Sequence, residues 1–266
     1  MTSLALLAIV GMGAGQTPHS KAEILSSVSK AAPGQSFLLG FRIKLDQGWH
    51  CYWKNPGDSG QATDISWQVP KGWKIEQLDW PVPEMLTAGG FTIYAYENES
   101  LLLFRATPPA NAPKQGQVAL KAKAEWLVCQ EACVPARTTL AIQLPLAPQA
   151  RPSVAVKMLQ QAQANLPTPA KGWKIQATRQ GKAIDLVLNA PDGVTVGEGT
   201  KFFAADPTTI AHSEKQELKD NVLHLVQSEY AAKPPTRLRG ILVAPEGKSW
   251  PSGRAVEIDV PITTNS

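Results

Sequence analysis

Apolar and polar positions alternate along much of this chain. In the first half the alternation covers Ser36–Leu45, Asp64–Val69, Phe91–Tyr96, Ser100–Ala106, Gln117–Val128 and Thr138–Leu144. It resumes at Lys174–Thr178, Ala183–Asn189, Val222–Val226, Arg237–Val243 and Ala255–Val260. A two-residue period is that of strands with one buried face. Turn formers separate the runs: Asn55-Pro56-Gly57, Pro70-Lys71-Gly72, Pro81-Val82-Pro83, Gly89-Gly90 and Pro108-Pro109. Only Val154–Asn165 has a helical interval, with Val154, Met158 and Ala162 on one side. It follows a Pro-spaced stretch, Pro145–Pro152, that reads as a linker. The pattern predicts an all-β chain of two β-sandwich modules, residues 16–149 and 150–266, joined by the Pro-rich linker and the short helix. Lys-Gly-Trp-Lys-Ile occurs at 71–75 and 171–175, but at different depths in the two modules, so it marks no repeat.

Composition narrows the class. The 266 residues are 43% hydrophobic and 18% charged, which excludes a disordered chain. Twenty glycines and 22 prolines exceed the usual ~12% and argue against a helical bundle. A net charge of +4, spread along the chain, leaves no footprint for nucleic acid. After the first fifteen residues no apolar run approaches the ~20 needed to cross a bilayer, so no transmembrane segment is expected. Leu4–Gly13 is a short apolar run followed by Ala14 and Gly15, which reads residues 1–15 as a signal peptide. Its basic n-region is missing, since no Lys or Arg precedes Lys21. Export would place the protein where disulfides persist.

Familiar catalytic signatures are absent: no HExxH, no P-loop and no G-x-S-x-G elbow. His19, His50, His212 and His224 lack ligand spacing, and no cofactor is expected. The chemistry is carried by cysteine. Cys129 and Cys133 flank Gln130-Glu131-Ala132. On one continuous strand their Cα atoms would lie about 13 Å apart at ~3.3 Å per residue, too far for a disulfide. A hairpin through Gln130–Ala132 instead sets them opposite one another. In that register Trp126 faces Ala136, Leu120 faces Ile142 and Val118 faces Leu144, all on one side. Glu125 faces Arg137 and Lys123 faces Thr139 on the other. Both cysteines then fall on the polar face, within reach of another protein's thiolate. Gln-Glu-Ala offers no Gly or Asn for a left-handed loop position. Redox exchange, a structural disulfide and a thiol metal site all remain compatible with the spacing.

Trp49-His50-Cys51-Tyr52-Trp53-Lys54-Asn55-Pro56-Gly57-Asp58-Ser59-Gly60 is similar to the signature of the amino-terminal periplasmic domain of DsbD/ScsB-type thiol:disulfide interchange proteins. Trp80-Pro81, Tyr94-Ala95-Tyr96-Glu97 and Trp126-Leu127-Val128-Cys129 through Cys133-Val134-Pro135 follow in that family's order, and Phe202-Phe203, Asp206-Pro207 and Leu238-Arg239-Gly240 resemble its later part. The resemblance implies immunoglobulin-like sandwiches and a Cys pair cycling between disulfide and dithiol, in the periplasm of a bacterium. It assigns Cys133 the mixed disulfide with partners and Cys129 its resolution. The implied partners are a membrane-embedded thiol reductase and periplasmic thioredoxin-like proteins, in the settings of cytochrome c biogenesis and copper tolerance. Phe91, after Gly89-Gly90, matches the aromatic residue of the loop that caps the pair, with Tyr94 and Tyr96 as core or cap support. The chain departs from the family pattern at Cys51, where relatives carry another residue. That thiol reads as a core residue or, with His50, as part of a soft-metal site. The Trp-rich stretch and the Asn55–Gly60 turn read as scaffold. The rival to protein-disulfide reduction is an exported binding or scaffold module with a structural disulfide or copper-binding thiols.

Overall fold

The computed structural model describes residues 14–264. The first half contains β1 Ala14–Thr17, β2 Ser20–Ser26, β3 Val28–Lys30, β4 Phe37–Leu45, β5 His50–Gly57 and β6 Asp64–Gln68. It continues with β7 Lys74–Gln77, β8 Glu84–Ala88, β9 Phe91–Glu97, β10 Glu99–Thr107, β11 Gln117–Cys129 and β12 Cys133–Pro145. One sheet runs β1-β2-β4-β10-β7; the other runs β12-β11-β5-β9-β8, with β6 also paired to β11. Their inner faces meet in a shared core of Phe41, Leu102, Trp53, Leu120 and Trp126. Phe41 and Trp126 touch edge to face across it, ring centres 6.2 Å apart. This is the sandwich that the alternation predicts.

Several strands run longer than the pattern showed. β12 starts at Cys133 rather than Thr138 because it is an edge strand, where Pro135 costs no ladder hydrogen bond. β5 escaped the reading because it is buried on both faces and shows no clean alternation. Residues 1–13 of the expected signal peptide lie outside the described residues. Ala14 and Gly15, its last two positions, pair with Glu23 and Ala22 of β2.

The second half forms one long sheet through Lys174–Gln180, Ala183–Asn189, Lys201–Ala204, Val222–Val226, Arg237–Val243 and Ala255–Thr264, with shorter strands at its margins. Ile184, Leu186, Leu188, Leu223 and Leu238 make its core. Gly240 is demanded by close approach, for a Cβ there would sit 2.1 Å from the Phe203 carbonyl oxygen. The Pro-spaced stretch is not a free tether. Arg151 pairs with Lys30 of β3, and Ser153 hydrogen-bonds the Ser26 carbonyl. The helix α1, Val156–Ala164, packs its buried Leu159 against Leu25, Leu38 and Leu103 of the first half. The two halves also share core: Phe203, Ile241, Val243 and Ala255 join the cluster around Trp53 and Tyr94. Among the described residues no helix is long and apolar enough to cross a membrane.

Candidate functional site

The β11–β12 hairpin takes the register read from the sequence, from Val118 opposite Leu144 to Cys129 opposite Cys133. A disulfide joins the two cysteines, with Cα atoms 4.1 Å apart. The three-residue loop closes with Gln130 N–H donating to the Ala132 carbonyl at 3.3 Å. No residue of that loop has a positive φ, so the missing Gly or Asn is not needed. Glu125 and Arg137 stand opposite as expected, yet the ion pair Glu125 makes is with Lys123, at 3.2 Å.

The expectation that both cysteines lie on an open polar face needs correction. Cys129 is 2% exposed, whereas Cys133 is exposed. Position across the sheet explains the split. Cys129 points away from the sandwich core, as Tyr52 of β5 and Ile93 and Ala95 of β9 also do. These three side chains, brought alongside by pairing, form a small apolar cluster over its sulfur. Cys133, one strand further out at the edge, has no such cover.

Two groups beside the pair carry polarity. Tyr52 Oη lies 3.6 Å from Cys133 Sγ, and His50 Nε2 lies 3.2 Å from Tyr52 Oη. A disulfide sulfur has no proton, so Tyr52 spends its only one on that contact. His50 must then donate to the tyrosine oxygen, which assigns it the Nε2–H tautomer. Burial lowers the His50 pKa from 6.5, with Glu97 opposing, and burial raises that of Tyr52, with Cys51 adding to it. Both groups therefore stay neutral, and the donor chain ends on sulfur. Once the disulfide opens, the same hydroxyl can stabilise a Cys133 thiolate. Gly60 makes room for this arrangement: a Cβ there would lie 2.2 Å from the Tyr52 ring, and its φ of +114° suits only glycine. Asn55-Pro56-Gly57, read as a turn, ends β5 instead, with the bend at Asp58–Ser59; the stretch is scaffold that seats Tyr52 against the Cys133 sulfur.

Phe91 also shares the outer parity of Ile93 and Ala95, at the tip of the β8–β9 hairpin, and is 52% exposed. It lines a groove of about 680 Å³ together with His50, Tyr52, Glu131 and both cysteines. Tyr94 and Tyr96 have the opposite parity and lie in the core. Tyr96 Oη donates to the Pro81 carbonyl at 2.8 Å, and Tyr94 Oη meets His212 Nδ1 at 2.9 Å. Cys51 is fully buried in the core, its thiol pushed up to about 12 by burial. It faces away from His50, and among the described residues no three metal-ligating side chains converge. Sequence reasoning missed His50 and Tyr52 as site residues. The signal was there in their shared parity, two apart on a strand that pairs beside Cys129.

Comparison with known proteins places this geometry. Residues 21–145 match the family model described as thiol:disulfide interchange protein DsbD, N-terminal. No curated protein sequence matches the chain. The chain is similar to the crystal structure of the N-terminal periplasmic domain of ScsB from Proteus mirabilis, with a TM-score of 0.66 at 14% identity, covering 95% of this chain and 98% of that one. The likeness spans both halves, so the whole fold is shared. Far weaker likenesses run to a yeast GGA1 GAE domain, TM-score 0.30 at 10% identity over 54% of this chain and all of that one. The E. coli chaperone DraB scores 0.22 at 10% identity, over 89% and 96%.

Proposed function

Residues 21–145 form a DsbD-type amino-terminal domain, and on that premise we propose that the chain relays electrons in the periplasm through the Cys129–Cys133 pair. One observation carries the assignment of roles: the pair is asymmetric, with Cys129 2% exposed and Cys133 open to solvent beside Tyr52. In the dithiol form the Cys133 thiolate attacks a partner's disulfide. A Cys133–partner bond forms and one partner thiolate leaves. Cys129, as thiolate, then attacks Cys133 Sγ, closing the internal disulfide and releasing the partner's second thiolate. Two electrons and two protons pass to the partner. A membrane-embedded thiol reductase restores the dithiol, and thioredoxin-like periplasmic proteins receive the electrons. Phe91 caps the groove from the β8–β9 tip.

Trapping tests this. Cys129→Ser should accumulate mixed disulfides with partner proteins on non-reducing gels, because the resolving thiol is gone. Cys133→Ser should trap none. A purely structural bridge would instead cost both variants about 2 kcal/mol of stability, with no adducts. Equal trapping by both variants would keep exchange but remove the roles.

A further inference from the structure

A protein that exchanges with Cys133 must press a surface against it. Redox contacts lie at the small end of protein interfaces, below about 600 Å² per partner, yet still reach beyond a single groove around the disulfide. The additional surface has to come from what adjoins that groove. Phe91 lines the groove and also a second cavity of about 710 Å³. That cavity opens between the two halves, walled by Asp58 of the first and by Pro207, His212, Gln227 and Tyr230 of the second. Tyr230 is 80% exposed, a large side chain left in water with only its backbone N–H anchored, to Ser228 Oγ at 3.2 Å.

The second half is held firmly in this position. Asn55, itself buried near the end of β5, which carries Tyr52, donates Nδ2–H to the Ala204 carbonyl at 2.8 Å. Tyr94 Oη meets His212 Nδ1, and His212 Nε2 donates to the Pro207 carbonyl, both at 2.9 Å. Phe203 packs on Tyr94 with ring centres 4.8 Å apart. The second half is therefore held against the first, with Tyr230 on the cavity that adjoins Phe91.

We propose that the second half is part of the redox docking surface: Phe91 and Tyr230 flank one continuous trough, and the exchange partner lays the apolar rim of its reactive cysteine across both. This rests on the exchange reading above. The partner class is a thiol–disulfide exchange protein with an exposed reactive thiol set in apolar surface. An aromatic residue at the centre of such a contact is where binding energy concentrates. In the reducing direction a partner thiolate attacks Cys133 Sγ, the bond to Cys129 breaks, and Cys129 leaves as a thiolate that takes up a proton. The partner's second thiolate then releases Cys133 and leaves the partner oxidised.

Reduction of the Cys129–Cys133 disulfide in the full chain is followed with two reductants, reduced thioredoxin and dithiothreitol. Tyr230→Ser, remote from the sulfurs and cheap to accommodate, should slow reduction by thioredoxin about fivefold or more. Its rate with dithiothreitol, which needs no docking surface, should match wild type. Equal thioredoxin rates for Tyr230→Ser and wild type would overturn the docking surface while leaving exchange intact. A wild-type disulfide that dithiothreitol reduces and thioredoxin does not would overturn exchange with protein partners, and the docking surface with it.

Discussion

Two tyrosine–histidine pairs sit in this molecule, and they are built for different ends. At the seam between the halves, Tyr94 Oη and His212 Nδ1 are 2.9 Å apart, and the other ring nitrogen of His212 is tied to the Pro207 carbonyl. A carbonyl can only accept, so His212 carries its proton on Nε2 and Tyr94 donates to Nδ1. Every polar atom has a partner within the protein, which is how a buried polar contact holds two surfaces in one arrangement. At the disulfide, His50 and Tyr52 make the same kind of contact, but the tyrosine proton ends on Cys133 Sγ, a weak acceptor. That chain stays unfinished until sulfur gains charge. The first pair fixes geometry; in the proposed exchange the second meets the charge that forms on sulfur.

The comparison breaks most visibly at Tyr94. Tyr94→Ala should cost about 3–5 kcal/mol, because a fully buried ring leaves a cavity against Trp53 and Phe203 and strands His212 Nδ1. Urea unfolding measures it, and the folded fraction should still trap partners in the Cys129→Ser background. Loss of trapping at unchanged stability would erase the distinction between the two pairs. Gly60→Ala should come next, costing about 1–3 kcal/mol from the positive φ and the clash with the Tyr52 ring. Unlike Tyr94→Ala, it should also slow reduction of partner disulfides.

Tyr52→Phe sharpens the contrast. In a Cys129→Ser background the Cys133 thiol should need about one pH unit more to ionise, worth about 1.4 kcal/mol. The rate of alkylation against pH reads this directly, and an unmoved midpoint would show that the hydroxyl does nothing for the thiolate. Stability should also fall by about 1 kcal/mol, since the buried His50 Nε2–H loses its acceptor. The smallest effect is in acid. Burial, its largest cause, lowers the His212 pKa below 6.5, with the Pro207 carbonyl and Asp58 opposing. The unfolded chain therefore binds this proton more readily than the folded one, and stability is full above about 6.5 and falls as pH drops towards the folded value. His212→Gln should flatten that slope in urea midpoints taken between pH 7 and 5. His50, lowered for the same reason, should show its slope in exchange rate as well as in stability.

The sequence by itself determined the hairpin. Its register follows from a two-residue alternation and a matched set of opposed residues within one short stretch, so no distant part of the chain was needed to pair Cys129 with Cys133. The all-β class was legible for the same reason, since β-period patterns act locally, whereas Asn55-Pro56-Gly57, read as a turn, became the irregular end of β5. What alternation cannot say is what covers each face. Cys129 looked solvent-facing because its own strand neighbours Glu125 and Lys123 are; it is buried because β5 and β9 arrive from far along the chain with Tyr52, Ile93 and Ala95. Phe91 was legible as a turn-tip aromatic, yet Tyr94 and Tyr96, close by in sequence, went to the opposite face and into the core. Only the tertiary structure decided that the expected linker is pinned to β3 and that Asn55 reaches the Ala204 carbonyl. Such contacts carry no period and no local signature: they exist only once non-local strand pairing has brought the partners together and burial has made each unmet polar group costly.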